Sequence, residues 1–284
     1  PTAGKNIARR LRLATINDPG VCMKSGTHDG HGDPASRKAQ RLKSMIINHD
    51  IQIISLTESR QKRHTIKRLR GYLRGSGFDI IGTAAAPKHS RKHVAGGVSI
   101  IWETDRVRLI RHKTHLKSRI IAAEFQIIGT AEKFTVVAAY MPNRGLAKTI
   151  VVPAWTTLTR TVLGYDKCWV LGDLNAETTQ HILQCGRDPV TADYALTDLI
   201  TTTNITPTGE GRATHRSGGE IDHILCPTEH SSSTSRAHLL PINWDTPKQG
   251  TKQTNNHQPT TTSCSSHTDT TKTAATAATH AHWE

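Results

Sequence analysis

Short apolar runs that end in a polar residue recur along this chain, and they predict strands. Leu11 to Asn17 alternates apolar and polar positions and reads as a strand closing on an amide. Ile51 to Leu56 is a second apolar strand, followed by Thr57-Glu58-Ser59-Arg60. Between them, Ser36 to His49 has helical spacing, with Leu42, Met45 and Ile46 on one face and Ser36 as the expected N-cap. Arg60 to Arg74 predicts a second, very basic helix. Further strands are expected at Phe78–Gly82, Gly97–Trp102, Val107–Ile110, Ile120–Ile127 and Phe134–Tyr140. Trp155 to Leu163 and Thr191 to Thr202 read as helices, and Ile221 to Leu225 as a short strand. Strands in series with helices at both ends indicate an α/β protein with packed sheets, not an alternating βαβα array. No internal repeat is visible.

The run Trp169-Val170-Leu171-Gly172-Asp173-Leu174-Asn175 is the most informative. An apolar strand, Cys168 to Leu171, ends in glycine, then an acid, then an amide one residue beyond. A carboxylate and a carboxamide at the carboxyl end of a core strand can hold a hard cation or a polarised water. The same residues also suit a plain turn. What tips the reading is that Asn17, Glu58, Tyr140 and Asp173 all close core strands, and Asp222 interrupts another apolar run.

The composition bounds the class. A chain of 284 residues suffices for one large domain. No stretch approaches the ~18 apolar residues of a membrane helix, and no signal peptide opens the sequence. The first residue is Pro1, which is expected of a fragment or a processed product. Five dispersed cysteines without a CxxC pair suggest reduced thiols and neither a zinc site nor a disulfide framework. The net charge is +14, and it lies entirely in residues 1–225, with 33 Lys and Arg against 19 Asp and Glu. A basic folded part suits a polyanion such as nucleic acid. After Cys226 the composition changes: Thr260 to Glu284 holds nine threonines and almost no large apolar residue, so it is expected to be disordered.

Taken in order, Ala14-Thr15-Ile16-Asn17, Ser55-Leu56-Thr57-Glu58, Gly96-Gly97-Val98-Ser99-Ile100, Tyr140-Met141-Pro142-Asn143, Gly172-Asp173-Leu174-Asn175 and Ile221-Asp222-His223-Ile224-Leu225 resemble the endonuclease/exonuclease/phosphatase superfamily. The similarity is strongest to the apurinic-endonuclease-like domain of non-LTR (LINE-type) retrotransposons. It implies a four-layer α/β sandwich, two packed mixed β-sheets flanked by helices, over residues 11–262. Residues 1–10 would be an extension and 263–284 a tail. It also implies a magnesium- or manganese-dependent DNA endonuclease that nicks one strand and leaves a 3′-hydroxyl primer. Such a domain would be monomeric, act in the nucleus without membrane association, and belong to a polyprotein with a reverse transcriptase.

The resemblance assigns roles. Glu58 matches the metal-binding glutamate and Asn17 the asparagine beside the metal. Asp173 matches the aspartate that activates the attacking water. Asn175 matches an amide on the phosphate or the water, and Tyr140 a tyrosine on the scissile phosphate. His257 matches the late histidine, and Asp222 the buried acid that orients it. Where the family reads Ser-Asp-His, this chain reads Asn255-Asn256-His257. Asn256 therefore stands at a metal-ligand position with a neutral oxygen, which lowers cation affinity. His223, the strand neighbour of Asp222, should face the other way and be structural. Arg60, Arg63, Lys67, Arg91 and Asn143 are the expected DNA contacts, with further cations between Arg106 and Arg119. Two alternatives stay open: another phosphodiesterase or phosphatase of the superfamily, and a degenerate domain that binds nucleic acid without cutting it.

Overall fold

A computed structural model describes residues 11–17, 34–87, 94–209, 214, 219–232, 234 and 278–281. In chain order the elements are β1 (Leu11–Asn17), α1 (Pro34–Asn48), β2 (Ile53–Thr57), α2 (Arg63–Arg74), β3 (Phe78–Thr83), β4 (Ala86–Pro87), β5 (Val94–Ala95), β6 (Val98–Glu103), β7 (Val107–Leu116), β8 (Ile120–Ile127) and β9 (Lys133–Tyr140). There follow α3 (Lys148–Leu163), β10 (Cys168–Asp173), α4 (Thr179–Cys185), α5 (Thr191–Thr203), β11 (Ile205–Pro207), β12 (Asp222–Pro227) and β13 (Ala278–Ala281).

Two mixed sheets face each other. One runs β13-β1-β2-β6-β3 and the other β11-β12-β10-β9-β8-β7. The parallel pairs are β1 with β2 and β9 with β10; their other neighbours are antiparallel. Strand alternation sorts side chains into three apolar layers. Leu13, Ile53, Phe125, Val136, Trp169, Leu171 and Ile224 fill the space between the sheets. Ala14, Ile16, Ile54 and Leu56 turn outward to α1 and α2. Ala122, Val137, Val170 and Leu225 turn outward to α3 and α5. Central strands are thus buried on both faces, which is why they read as nearly unbroken apolar runs. The result is the expected four-layer sandwich.

Several expected boundaries move. Helix α1 begins at Pro34, so Ser36 lies inside its first turn and is not the N-cap. Helix α2 starts at Arg63, not Arg60. Helix α3 begins at Lys148 and continues through Pro153, because Val151, Ala154 and Trp155 are buried against the sheet. Strand β7 runs on past Ile110 to Leu116. Within the stretch expected to be disordered, Ala278–Ala281 pairs antiparallel with β1. Asn256, His257 and Arg91 lie outside the described residues, as does the extension 1–10.

Candidate active site at the strand ends

The register puts one end of the sandwich under a single rule. Asn17 pairs with Thr57 across β1 and β2, and Asp173 pairs with Tyr140 across β9 and β10. On the other side of β10, Asp173 stands opposite Asp222 of β12. Residues two apart share a face. Leu13 and Ile53 are between the sheets, so Asn17 and Thr57 are too. Trp169 and Leu171 put Asp173 there, and Ile224 does the same for Asp222. The inter-sheet layer therefore changes from apolar to polar at the carboxyl ends of β1, β2, β9 and β10.

One hydrogen bond closes the two sheets at that end. The Asn17 Nδ2 donates to Asp173 Oδ2 at 2.6 Å, across 156 residues of sequence. The Asn175 backbone N–H donates to Asp173 Oδ1 at 3.0 Å, and its Nδ2 donates to the Met141 carbonyl at 3.0 Å. Asn175 holds φ of 50°, a left-handed conformation that asparagine tolerates better than most residues. Just before Asp173, Gly172 has no room for a side chain, because a Cβ there would overlap the Ala139 carbonyl oxygen. Glycine at that position lets β9 and β10 bring Tyr140 and Asp173 together.

Glu58 follows β2 directly and sits in a strained turn: Glu58 and Arg60 have φ of 50° and 49°. Such conformations cost roughly 1–3 kcal/mol each and persist only where surroundings enforce them. Here Gly96 and Gly97 enforce it. Ser59 N–H donates to the Gly97 carbonyl at 3.1 Å, and Arg60 N–H to that of Gly96 at 2.9 Å. A Cβ on Gly97 would lie 2.8 Å from Ser59 Oγ, and one on Gly96 2.8 Å from the Ser118 carbonyl. Glycine is thus needed at both positions to dock the Glu58 turn onto the sheet. Arg60 Nη2 then reaches Glu58 Oε1 at 3.0 Å.

Charge at this end is concentrated and buried. Burial pushes Asp173 well above the ordinary carboxylate range, and the nearby charges of Asp222 and Glu58 push it the same way, against the Asn175 hydrogen bonds. Burial also raises the Tyr140 phenol far above its usual value, helped by Glu58 and Asp173. Tyr140 is therefore a phenol with a proton to donate. Arg119 lies over its ring, 5.2 Å from the centroid, and donates to the Tyr140 carbonyl at 3.1 Å. Arg119 had no distinguishing mark among the cations of 106–119; only the register, which turns β8 back at Arg119 beside β9, singles it out.

The donor set fits a divalent cation. Asn17 Oδ1 and Thr15 Oγ1, both on the inter-sheet face of β1, are buried without a hydrogen-bond partner among the described residues. Asp173 supplies negative charge next to Asn17, and Glu58 lies near enough to raise the Asp173 carboxyl; all are oxygen donors, as a hard cation requires. Among the described residues no three carboxylate, imidazole or thiol groups converge as a ready cage. The fit rests on mixed carboxylate and amide oxygens.

The other expected residues fall into two groups. His223 faces away from Asp222 and donates from Nε2 to the Ala176 carbonyl at 2.7 Å, deeply buried, so it is structural. Asn143 is exposed on the loop after β9, and Arg63 and Lys67 are exposed on α2. Arg70 and Arg74, also on α2, are instead tied to Asp79 at 2.8 and 2.9 Å. The loop holding Asn143 is fixed by its neighbour Arg144, which no sequence pattern marks. Arg144 bridges buried Glu177 at 2.7 Å and buried Asp193 at 2.5 Å, and Arg187 also reaches Glu177 at 2.9 Å.

Comparison with solved structures agrees with this fold. An AP endonuclease from Leishmania major matches with a TM-score of 0.65 at 10% identity, covering 98% of this chain and 89% of that one. The endonuclease domain of TRAS1, a telomere-specific non-LTR retrotransposon, matches with a TM-score of 0.62 at 10% identity, covering 96% and 99%. A 3′ phosphatase from Neisseria, bound to a product DNA hairpin, matches with a TM-score of 0.63 at 12% identity, covering 96% and 99%. The chain has the endonuclease/exonuclease/phosphatase fold. No protein-family model and no curated protein matches the sequence itself. Asn17, Tyr140, Asp173 and Asp222 share one end of this sandwich.

Proposed function

We propose that this protein is a divalent-metal-dependent endonuclease that hydrolyses a DNA phosphodiester, nicks one strand and leaves a 3′-hydroxyl, as the endonuclease domain of a non-LTR retrotransposon would. The observation that carries the reading is the 2.6 Å bond from Asn17 to Asp173, which joins the two sheets at the end where Tyr140 closes β9 and Glu58 follows β2. Glu58 and Asn17 would hold the cation, with Asn256 at the remaining position. When bound, the cation neutralises phosphate oxygens as charge develops on them.

The chain's own groups supply the rest. Asp173, which burial holds above the ordinary carboxylate range, accepts a proton from the attacking water. The Asn175 backbone N–H fixes the orientation of that carboxylate. Tyr140, kept as a phenol, donates a hydrogen bond to a phosphate oxygen, and Arg119 holds its ring in place. Asp222 is the acid that would orient His257, which lies outside the described residues, for a second contact to the phosphate. The net charge of +14 favours a polyanionic substrate over a small neutral one.

Supercoiled plasmid incubated with magnesium should become open circles, and a DNA polymerase should extend the nicks without prior end treatment. Nicks that need phosphatase treatment before extension would overturn the 3′-hydroxyl assignment. Binding without any nicking would favour the non-cutting nucleic-acid-binding domain.

A further inference from the structure

A cleft lies on the outer face of the second sheet, away from the strand-end site. It has a volume of about 450 Å³ and is open between edge strand β7 and the carboxyl end of α3. Arg111, Lys113 and His115 line one wall; Arg160, Thr161 and Tyr165 line the other. The register explains the first wall. Lys113 stands opposite Ala122 and Arg111 opposite Glu124, and Ala122 faces α3, so both cations point to the helix side. A β-bulge between Thr114 and Leu116 contains His115, which meets Tyr165 edge-on with ring centroids 6.3 Å apart. Burial, with Lys113 adding to it, lowers His115 below the ordinary imidazole value, so the ring is neutral in neutral solution.

We infer that this cleft is a second phosphate-binding site, which takes a backbone phosphate of the nucleic acid at a distance from the scissile bond. Three guanidinium or ammonium groups converge there against one carboxylate, Glu124, which Arg111 engages at 2.7 Å. Lys113 and Arg160 are both exposed and carry the excess charge. The cleft and the strand-end site are joined along the chain. Strand β7 leads through Lys117 to Arg119, which packs on Tyr140. From Lys113 to Arg119 six residue steps span at most roughly 20 Å at about 3.3 Å per residue. That equals about six phosphates of one strand at ~3.4 Å each along a duplex axis. Charges on an edge strand also discourage edge-to-edge association, but that need is met by any exposed lysine. It does not require Arg160 and Tyr165 from a separate element to form the facing wall.

The inference takes its polyanion from the endonuclease reading, so its test is made independent of cleavage. The full chain is compared with the double variant Lys113→Gln/Arg160→Gln in EDTA, which removes neither Arg111 nor any strand-end residue. Fluorescence anisotropy measures binding to duplexes of about 10 and about 30 base pairs across a salt titration. For two lost phosphate contacts the slope of log K against log salt should become shallower by about 1.8 on the long duplex. On the short duplex the slope should change less, because fewer binding positions span the cleft and the strand-end site together. Inorganic phosphate and a mononucleotide, added as competitors, should displace neither duplex at millimolar concentration. An unchanged slope on the long duplex overturns the proposal. Displacement by free phosphate with an unchanged slope assigns the cleft to small phosphorylated compounds and overturns the nucleic-acid source. A changed slope in a protein that nicks nothing supports the cleft while sinking the endonuclease reading.

Discussion

Asp173→Asn should make the metal-free protein more stable while removing its activity. Asp173 is 3% exposed, faces Asp222 across the ladder and feels Glu58 as well. Two like charges roughly 6 Å apart repel by about 2–3 kcal/mol at an effective dielectric constant near 20. Neutralising Asp173 relieves that repulsion and the cost of burying the charge. The opposing loss is small. The substituted amide can still accept from the Asn175 backbone, and Asn17 can rotate its own amide so that its unpartnered Oδ1 accepts from the new one. Exchanging two charge-assisted bonds for neutral ones costs about 1 kcal/mol. The net gain is about 1–2 kcal/mol, a rise in Tm of roughly 3–6 °C for a domain of this size. The pH dependence fixes the sign. Asp173 has a folded value above its unfolded one, so the wild-type fold carries no penalty while both states are protonated. The penalty grows as pH rises from the ordinary carboxylate range through the folded value. Thermal melts in EDTA, run from acid to neutral pH, should therefore show a gap between variant and wild type that opens with pH. Magnesium should narrow it by stabilising the wild type. A variant that melts at or below the wild type throughout would refute this reasoning.

Arg144→Ala should cost about 3 kcal/mol in urea unfolding, because it takes the cation from buried Asp193 and leaves buried Glu177 with Arg187 alone. Tyr140→Phe keeps the ring under Arg119 but removes the phenol proton, so kcat should fall about 100-fold with little change in Tm. Asn256→Asp adds a negative ligand, and a nicking titration should show a lower magnesium requirement for half-maximal rate.

The strand ends were legible in the sequence because each functional residue breaks an apolar run where a core strand stops or, for Asp222, starts. Asn17, Glu58, Tyr140, Asp173 and Asp222 could be named on that ground. What joins them was not legible. The Asn17–Asp173 bond spans 156 residues, and the pairing of Asp173 with Asp222 depends on an antiparallel register. Strand β7 was cut short because its middle is polar on both faces, from Arg111 to Thr114, so no alternation marks it. Helix α4 and strand β11 are too short to show a period. Arg144 was missed because its partners, Glu177 and Asp193, come from elements that only the tertiary fold brings beside the loop after β9.

The central claim is that the strand-end carboxylates use a divalent cation to cut DNA, and Glu58→Gln tests it most directly. The substitution keeps the size of the side chain at a half-buried position and removes one negative charge. Plasmid nicking should be followed across a magnesium titration for wild type and variant, beside DNA binding measured in EDTA. The account predicts wild-type nicking that rises with magnesium and vanishes in EDTA, a variant without nicking at any magnesium concentration, and similar DNA affinity for both. Equal magnesium-dependent nicking by the two proteins would contradict it.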